Sequence, residues 1–177
     1  MTFDRIDSLS LYDPYFEAVD LALKEENEVF WGYFGRIENN ELHIDQAKLL
    51  PAKVHKTSEK SRCSVKVRKF HRWRKKEERN LSKNKEEYRL VGLGHIHRHL
   101  PIPTTNDVEY LDSIMDNGIH SIYHHLSDQT SLQFFNIQTL HFLRLFKGTV
   151  SGKHIPIGAD IVNRSEKYQN VEILSEW

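Results

Sequence analysis

Residues Tyr88–His99, YRLVGLGHIHRH, decide how this chain is read. The stretch is apolar at first and ends in three histidines at every second position, His95, His97 and His99. Side chains two apart on a strand project to the same side. The expected strand therefore carries Val91, Leu93, His95, His97 and His99 in one row, and two successive imidazoles of that row can reach one metal ion. Pro101 and Pro103 end the ladder, and Thr104-Thr105-Asn106-Asp107 opens a helix whose apolar positions are Val108, Leu111, Ile114 and Met115. Asp107 then falls in a helical first turn, where the macrodipole favours a carboxylate. Two imidazoles and one carboxylate leave a fourth tetrahedral position for water, the arrangement of a catalytic zinc site.

Upstream, PYFEAVDLALKEE (14–26) has Phe16, Val19, Leu21 and Leu23 near helical period, with Asp13 as N-cap and Pro14 at the first helical position. EVFWGYFGR (28–36) and ELHIDQAKLL (41–50) read as a β-hairpin turning at Glu38-Asn39-Asn40, closed by Pro51. SRCSVKV (61–67) suits a strand, and Lys69–Glu87 is polar and rich in helix formers. After Asn117-Gly118, short strands are expected at Ile119–Leu126, Leu132–Ile137, Leu140–Phe146 and Ile155–Val162. The fold class is α+β: a central mixed sheet flanked by two or three helices, in a single domain over 1–177.

Composition narrows the function classes. One cysteine, Cys63, excludes an internal disulfide framework and a zinc site built from Cys pairs. A metal must use histidine and carboxylate. The N-terminus lacks the apolar core of a signal peptide, and no run of about 18 apolar residues occurs, so a cytoplasmic setting without membrane span is expected. Lys+Arg and Asp+Glu both number 25, which argues against nucleic-acid binding through overall charge and leaves a nucleic-acid partner unexpected. Charge is nevertheless uneven: residues 53–85 hold 14 Lys/Arg against 3 Asp/Glu. That segment is either a solvated surface or a docking patch for an acidic partner or a phosphate backbone.

A metal-activated water needs a base, and Glu28 at the start of the aromatic strand is the candidate. The strand Glu28-Val29-Phe30-Trp31-Gly32-Tyr33-Phe34-Gly35 and the segment from Gly94 to Asp107 together resemble the JAMM (MPN, or JAB) metallopeptidase domain over roughly residues 15–125. The family pattern is a glutamate followed by a glycine-containing strand, a His-x-His pair, a loop and a Ser-x-x-Asp. Here Trp31 stands where the family has glycine, Thr104 replaces serine, no proline directly follows the second histidine, and the loop before Asp107 is short. The resemblance implies an MPN-like fold holding Zn2+ on His97, His99 and Asp107, with His95 as the alternate ligand. It implies Glu28 as general base and Thr104, otherwise a helix N-cap, as donor to the oxyanion. It implies a zinc metalloprotease or isopeptidase cleaving after the C-terminus of a ubiquitin-like protein, whose tail would add as a strand at the sheet edge, with conjugation enzymes as associated partners. Residues 53–85 would be a basic insertion.

Two other readings stay open. The three-histidine row also resembles histidine-triad nucleotide hydrolases, with the middle histidine as nucleophile, although Arg98 breaks that pattern. An MPN-like scaffold without catalysis is the second. His124-His125 and His141 are expected to be structural, Cys63 a packing residue, and Phe134, Phe135, Phe142 and Phe146 core.

Overall fold

Alternation along one strand sets the layering. In β2 (Phe30–Glu38), Phe30 and Phe34 turn to one side of the sheet while Trp31 and Tyr33 turn to the other. A computed structural model describes residues 6–25, 29–51, 53–56, 61–82, 87–97, 105–115, 118–125, 130–136 and 160–169. Its elements are β1 (Ser8–Leu11), α1 (Asp13–Leu23), β2, β3 (Glu41–Leu49), β4 (Lys53–Lys56), β5 (Ser61–Ser64), α2 (Val67–Leu81), β6 (Arg89–His97), α3 (Thr105–Ile114), β7 (Ile119–His125), β8 (Thr130–Asn136) and β9 (Asp160–Asn163). Seven strands form one mixed sheet in the order β8-β7-β6-β2-β3-β1-β9, and β4 and β5 make a separate two-stranded ribbon. The α+β class is as expected.

Each face of the sheet has its own core. On one side α1 packs Tyr15, Phe16, Ala18, Val19 and Ala22 onto Leu9, Leu11, Trp31, Tyr33, Leu42 and Ile44. On the other, Phe70 of α2 and Leu111 and Ile114 of α3 cover Phe30, Phe34, Leu90, Leu93 and Ile122. Full burial of a side chain such as Phe70 contributes about 1.5–3 kcal/mol. The expected face of α1 is partly corrected: Leu21 is exposed, because Tyr15, Ala18, Val19 and Ala22 lie at the i, i+3, i+4, i+7 positions that meet the sheet. Asp13 is also not the cap. It is the first helical residue, and its carboxylate accepts bonds from the Ser165 hydroxyl and the backbone N–H groups of Glu166 (3.0 Å) and Lys167 (3.1 Å), tying down the segment after β9.

The β2–β3 hairpin turns at Asn39 and Asn40, both with positive φ (52° and 64°), as a tight turn matched to strand twist requires. The row expected on β6 is broken at its start. Tyr33 pairs with Gly92 and Phe34 with Leu90, so Val91 is the extra residue of a bulge and joins the α1-side core, opposite Leu93. Period 2 holds only beyond the bulge. The expected strand 61–67 is the shorter β5, paired with β4; the expected strand 140–146 lies outside the described residues. β1 was not anticipated. It runs parallel to both β3 and β9 and fills the gap between them. No described helix is long and apolar enough to cross a membrane.

Candidate metal centre

At its C-terminal end β6 delivers two histidines to the face of the sheet covered by α2 and α3. His95 and His97 are both buried, and their Nε2 atoms lie 2.8 Å apart. Asp107 comes from the first turn of α3. Its two oxygens lie 3.4 Å from His95 Nε2 and 3.2 Å from His97 Nε2. Among the described residues these three form a group able to hold a metal ion. The structure therefore joins the alternate histidine, His95, to His97 and Asp107. His99, Glu28 and Thr104 lie outside the described residues.

Asp107 offers one oxygen to each ring. An imidazole Nε2 carries at most one hydrogen. Protonated at Nε2, each ring has an oxygen of Asp107 to donate to; deprotonated there, each presents a lone pair to the same point. The Asp107 carboxyl answers to both rings. Burial works to raise its pKa, and the hydrogen bonds and charge of His95 and His97 outweigh that, holding it well below the usual carboxylate range. Donors around one tetrahedral ion at zinc–nitrogen distances sit about 3.3 Å apart. The three separations straddle that value, so the group has the spacing to hold one cation.

The surroundings fix the ring of His95. Phe30, its cross-strand partner, stacks on it at 4.9 Å, and Tyr110 of α3 tilts against Phe30 at 5.1 Å. The Tyr110 hydroxyl in turn accepts the Val65 N–H at 2.7 Å. His95 Nδ1 is buried without a hydrogen-bond partner among the described residues, the position at which a ligating histidine is usually steadied by an outer acceptor. Gly94 leaves room for Trp31: a Cβ there would lie 2.2 Å from the indole. Trp31 is thus accommodated by a glycine on the neighbouring strand.

Two features escaped sequence reasoning. Phe30 and Tyr110 carried no assigned role, and only the register and packing show Phe30 stacked on His95 with Tyr110 behind it. His124, expected to be structural, is the register partner of His97 on β7 and is buried. Parallel neighbours in register project to the same side, so it stands beside the cluster.

A further histidine shows how firmly this region fixes protonation. His120 is fully buried; its Nδ1 accepts the Leu93 N–H (3.2 Å), leaving Nε2–H for the Met115 carbonyl (3.3 Å). Burial, the largest cause, lowers its pKa from 6.5 to about 4. Between those values the unfolded chain binds a proton that the native one refuses. Stability is complete above pH 6.5 and falls as pH drops toward 4, by about 3 kcal/mol in total. His120→Gln keeps an acceptor and a donor without titrating, so chemical denaturation between pH 7 and 4 should show a shallower loss in that variant. Equal slopes would remove His120 from the acid response.

Among known proteins, the chain matches no family model, and no curated protein matches it significantly.

Proposed function

We propose that the chain is a metal-dependent hydrolase, a metalloprotease or isopeptidase acting after the C-terminus of a ubiquitin-like protein. His95, His97 and Asp107 hold its ion. The observation that carries this reading is the convergence of two buried imidazole nitrogens of β6 and both carboxylate oxygens of Asp107 within metal-ligand reach of one point. Zinc is the default for two imidazoles and a carboxylate. A bound zinc ion would polarise the scissile carbonyl and lower the pKa of its water to about 7.

The chain's own groups divide the remaining work. Asp107 and the two histidines position the ion, and Phe30 and Tyr110 hold the His95 ring. Glu28 takes the proton of the attacking water and passes it to the leaving amine. Chain connectivity supports this role, since Glu28 precedes Phe30 by two residues, at most about 7 Å of backbone, and Phe30 pairs with His95. Thr104, directly before α3, donates its hydroxyl to the oxyanion, a contact worth about 2.7–4 kcal/mol in comparable sites.

Glu28→Gln is the direct test. The variant is expected to keep one equivalent of metal while cleavage of a ubiquitin-like fusion falls roughly 10²–10⁴-fold. Chelation should abolish wild-type cleavage. Cleavage that survives both the substitution and the chelator contradicts the proposal, and metal-free protein without cleavage favours a scaffold.

A further inference from the structure

Helix α2 is built with its charges in unfavourable places. Arg68, Arg72, Lys75 and Arg79 follow i, i+4, i+7, i+11 spacing and line one exposed stripe, flanked by exposed Lys69 and Lys76. Like charges at these spacings repel by about 0.2–0.5 kcal/mol a pair. The first turn has no acid and two cations, Arg68 and Lys69, against the positive end of the helix dipole. The helix acids do not offset this. Glu77 is buried and bonded to Lys48 at 2.7 Å, and Glu78 accepts from Arg74 (2.9 Å) and from the Leu90 N–H (3.0 Å). No ion pair among the described residues involves the six stripe and flanking cations.

What relieves such a face is a polyanion. We propose that the exposed side of α2 binds the phosphate backbone of a nucleic acid, in addition to the hydrolytic site and independently of it. From Arg68 to Arg79 the helix axis advances about 16 Å, which spans roughly five phosphates of one strand at 3.4 Å each. Three of the four stripe residues are arginine, whose planar fork matches phosphate oxygens. An acidic protein surface fits less well, because protein interfaces rest on buried aromatic or aliphatic anchors. Here the apolar residues Phe70, Trp73 and Leu81 face the sheet, and Val67 at the helix start is the one exposed large hydrophobic residue of α2. The balanced total charge does not oppose this, since the field acts locally, within about 10 Å at 0.1 M salt.

Fluorescence anisotropy with a labelled 20-base-pair duplex DNA tests the proposal. Four phosphate contacts give a log–log salt slope of about −4 between 50 and 200 mM salt. R68E/R72E should lower the slope by about 2 and weaken binding about 100-fold at 50 mM. R68E places an acid in the first turn, and R72E places one three and four residues before Lys75 and Lys76, so the pair should raise, not lower, the melting temperature, and lost binding is not lost folding. Absence of binding at 50 mM, binding unchanged in R68E/R72E, or equal competition by polyglutamate at the same charge concentration overturns the proposal; the last would assign the face to an acidic protein.

Discussion

Alanine at His95 is expected to strip the metal from the protein, and alanine at His99 is expected to leave it in place. The pair separates the two ligand registers that the three-histidine strand permits. In the structure His95 and His97 already stand 2.8 Å apart with Asp107 closing the group, so three ligands are complete without His99. Losing an outer-shell partner of a metal site typically costs roughly 10–100-fold in affinity. Losing one of three first ligands costs more, and it leaves only His97 and Asp107 facing each other. Metal affinity of His95→Ala should therefore fall well beyond 100-fold, measured by competition with a chromophoric chelator. The opposite result, metal lost in His99→Ala and kept in His95→Ala, would restore the register read from the flanking sequence.

The second large effect concerns folding. Gly92→Ala is expected to destabilise the protein by about 3 kcal/mol or more, beyond ordinary overpacking. A Cβ at Gly92 would lie 1.5 Å from the Ile119 carbonyl oxygen and 2.7 Å from the Tyr33 hydroxyl. The nearest obstacle is backbone, which cannot rotate aside as a side-chain tip can. Tyr33 donates to that same carbonyl, so the bond between β2 and the start of β7 is lost as well. With a denaturant slope of about 1–3 kcal/mol/M in urea, the midpoint should fall by at least 1 M. A loss below 1 kcal/mol would show that β7 shifts freely, and with it the strand that carries His120 and His124.

Much of this was legible in the residues, and the failures have physical causes. The hairpin could be read because Asn39-Asn40 is suited to two consecutive positive φ angles. The helix opened by Asp107 could be read because two prolines and a polar quartet precede an apolar period. The clustered trio was legible in part: His97 and Asp107 were named as ligands with His99, and His95, which the structure places beside them, stood as the alternate. Choosing the pair was harder, because His95, His97 and His99 share one parity and flanking residues say little about where a strand stops. Val91 was misplaced because a bulge leaves no mark in a period-2 pattern; only pairing with Tyr33 and Phe34 reveals it. Strand β1 was missed because its four residues gain their partners from β3 and β9, distant in sequence. Asp13 reads as a cap in isolation, yet the segment after β9 claims its carboxylate.

All of the proposed chemistry rests on one cation at the meeting point of β6 and α3. Calorimetric titration of metal-stripped protein with Zn2+, beside a His95→Ala/His97→Ala/Asp107→Ala variant, tests it most directly. The expected result is one tight site in the native sequence and none in the variant. Indistinguishable titrations would contradict it.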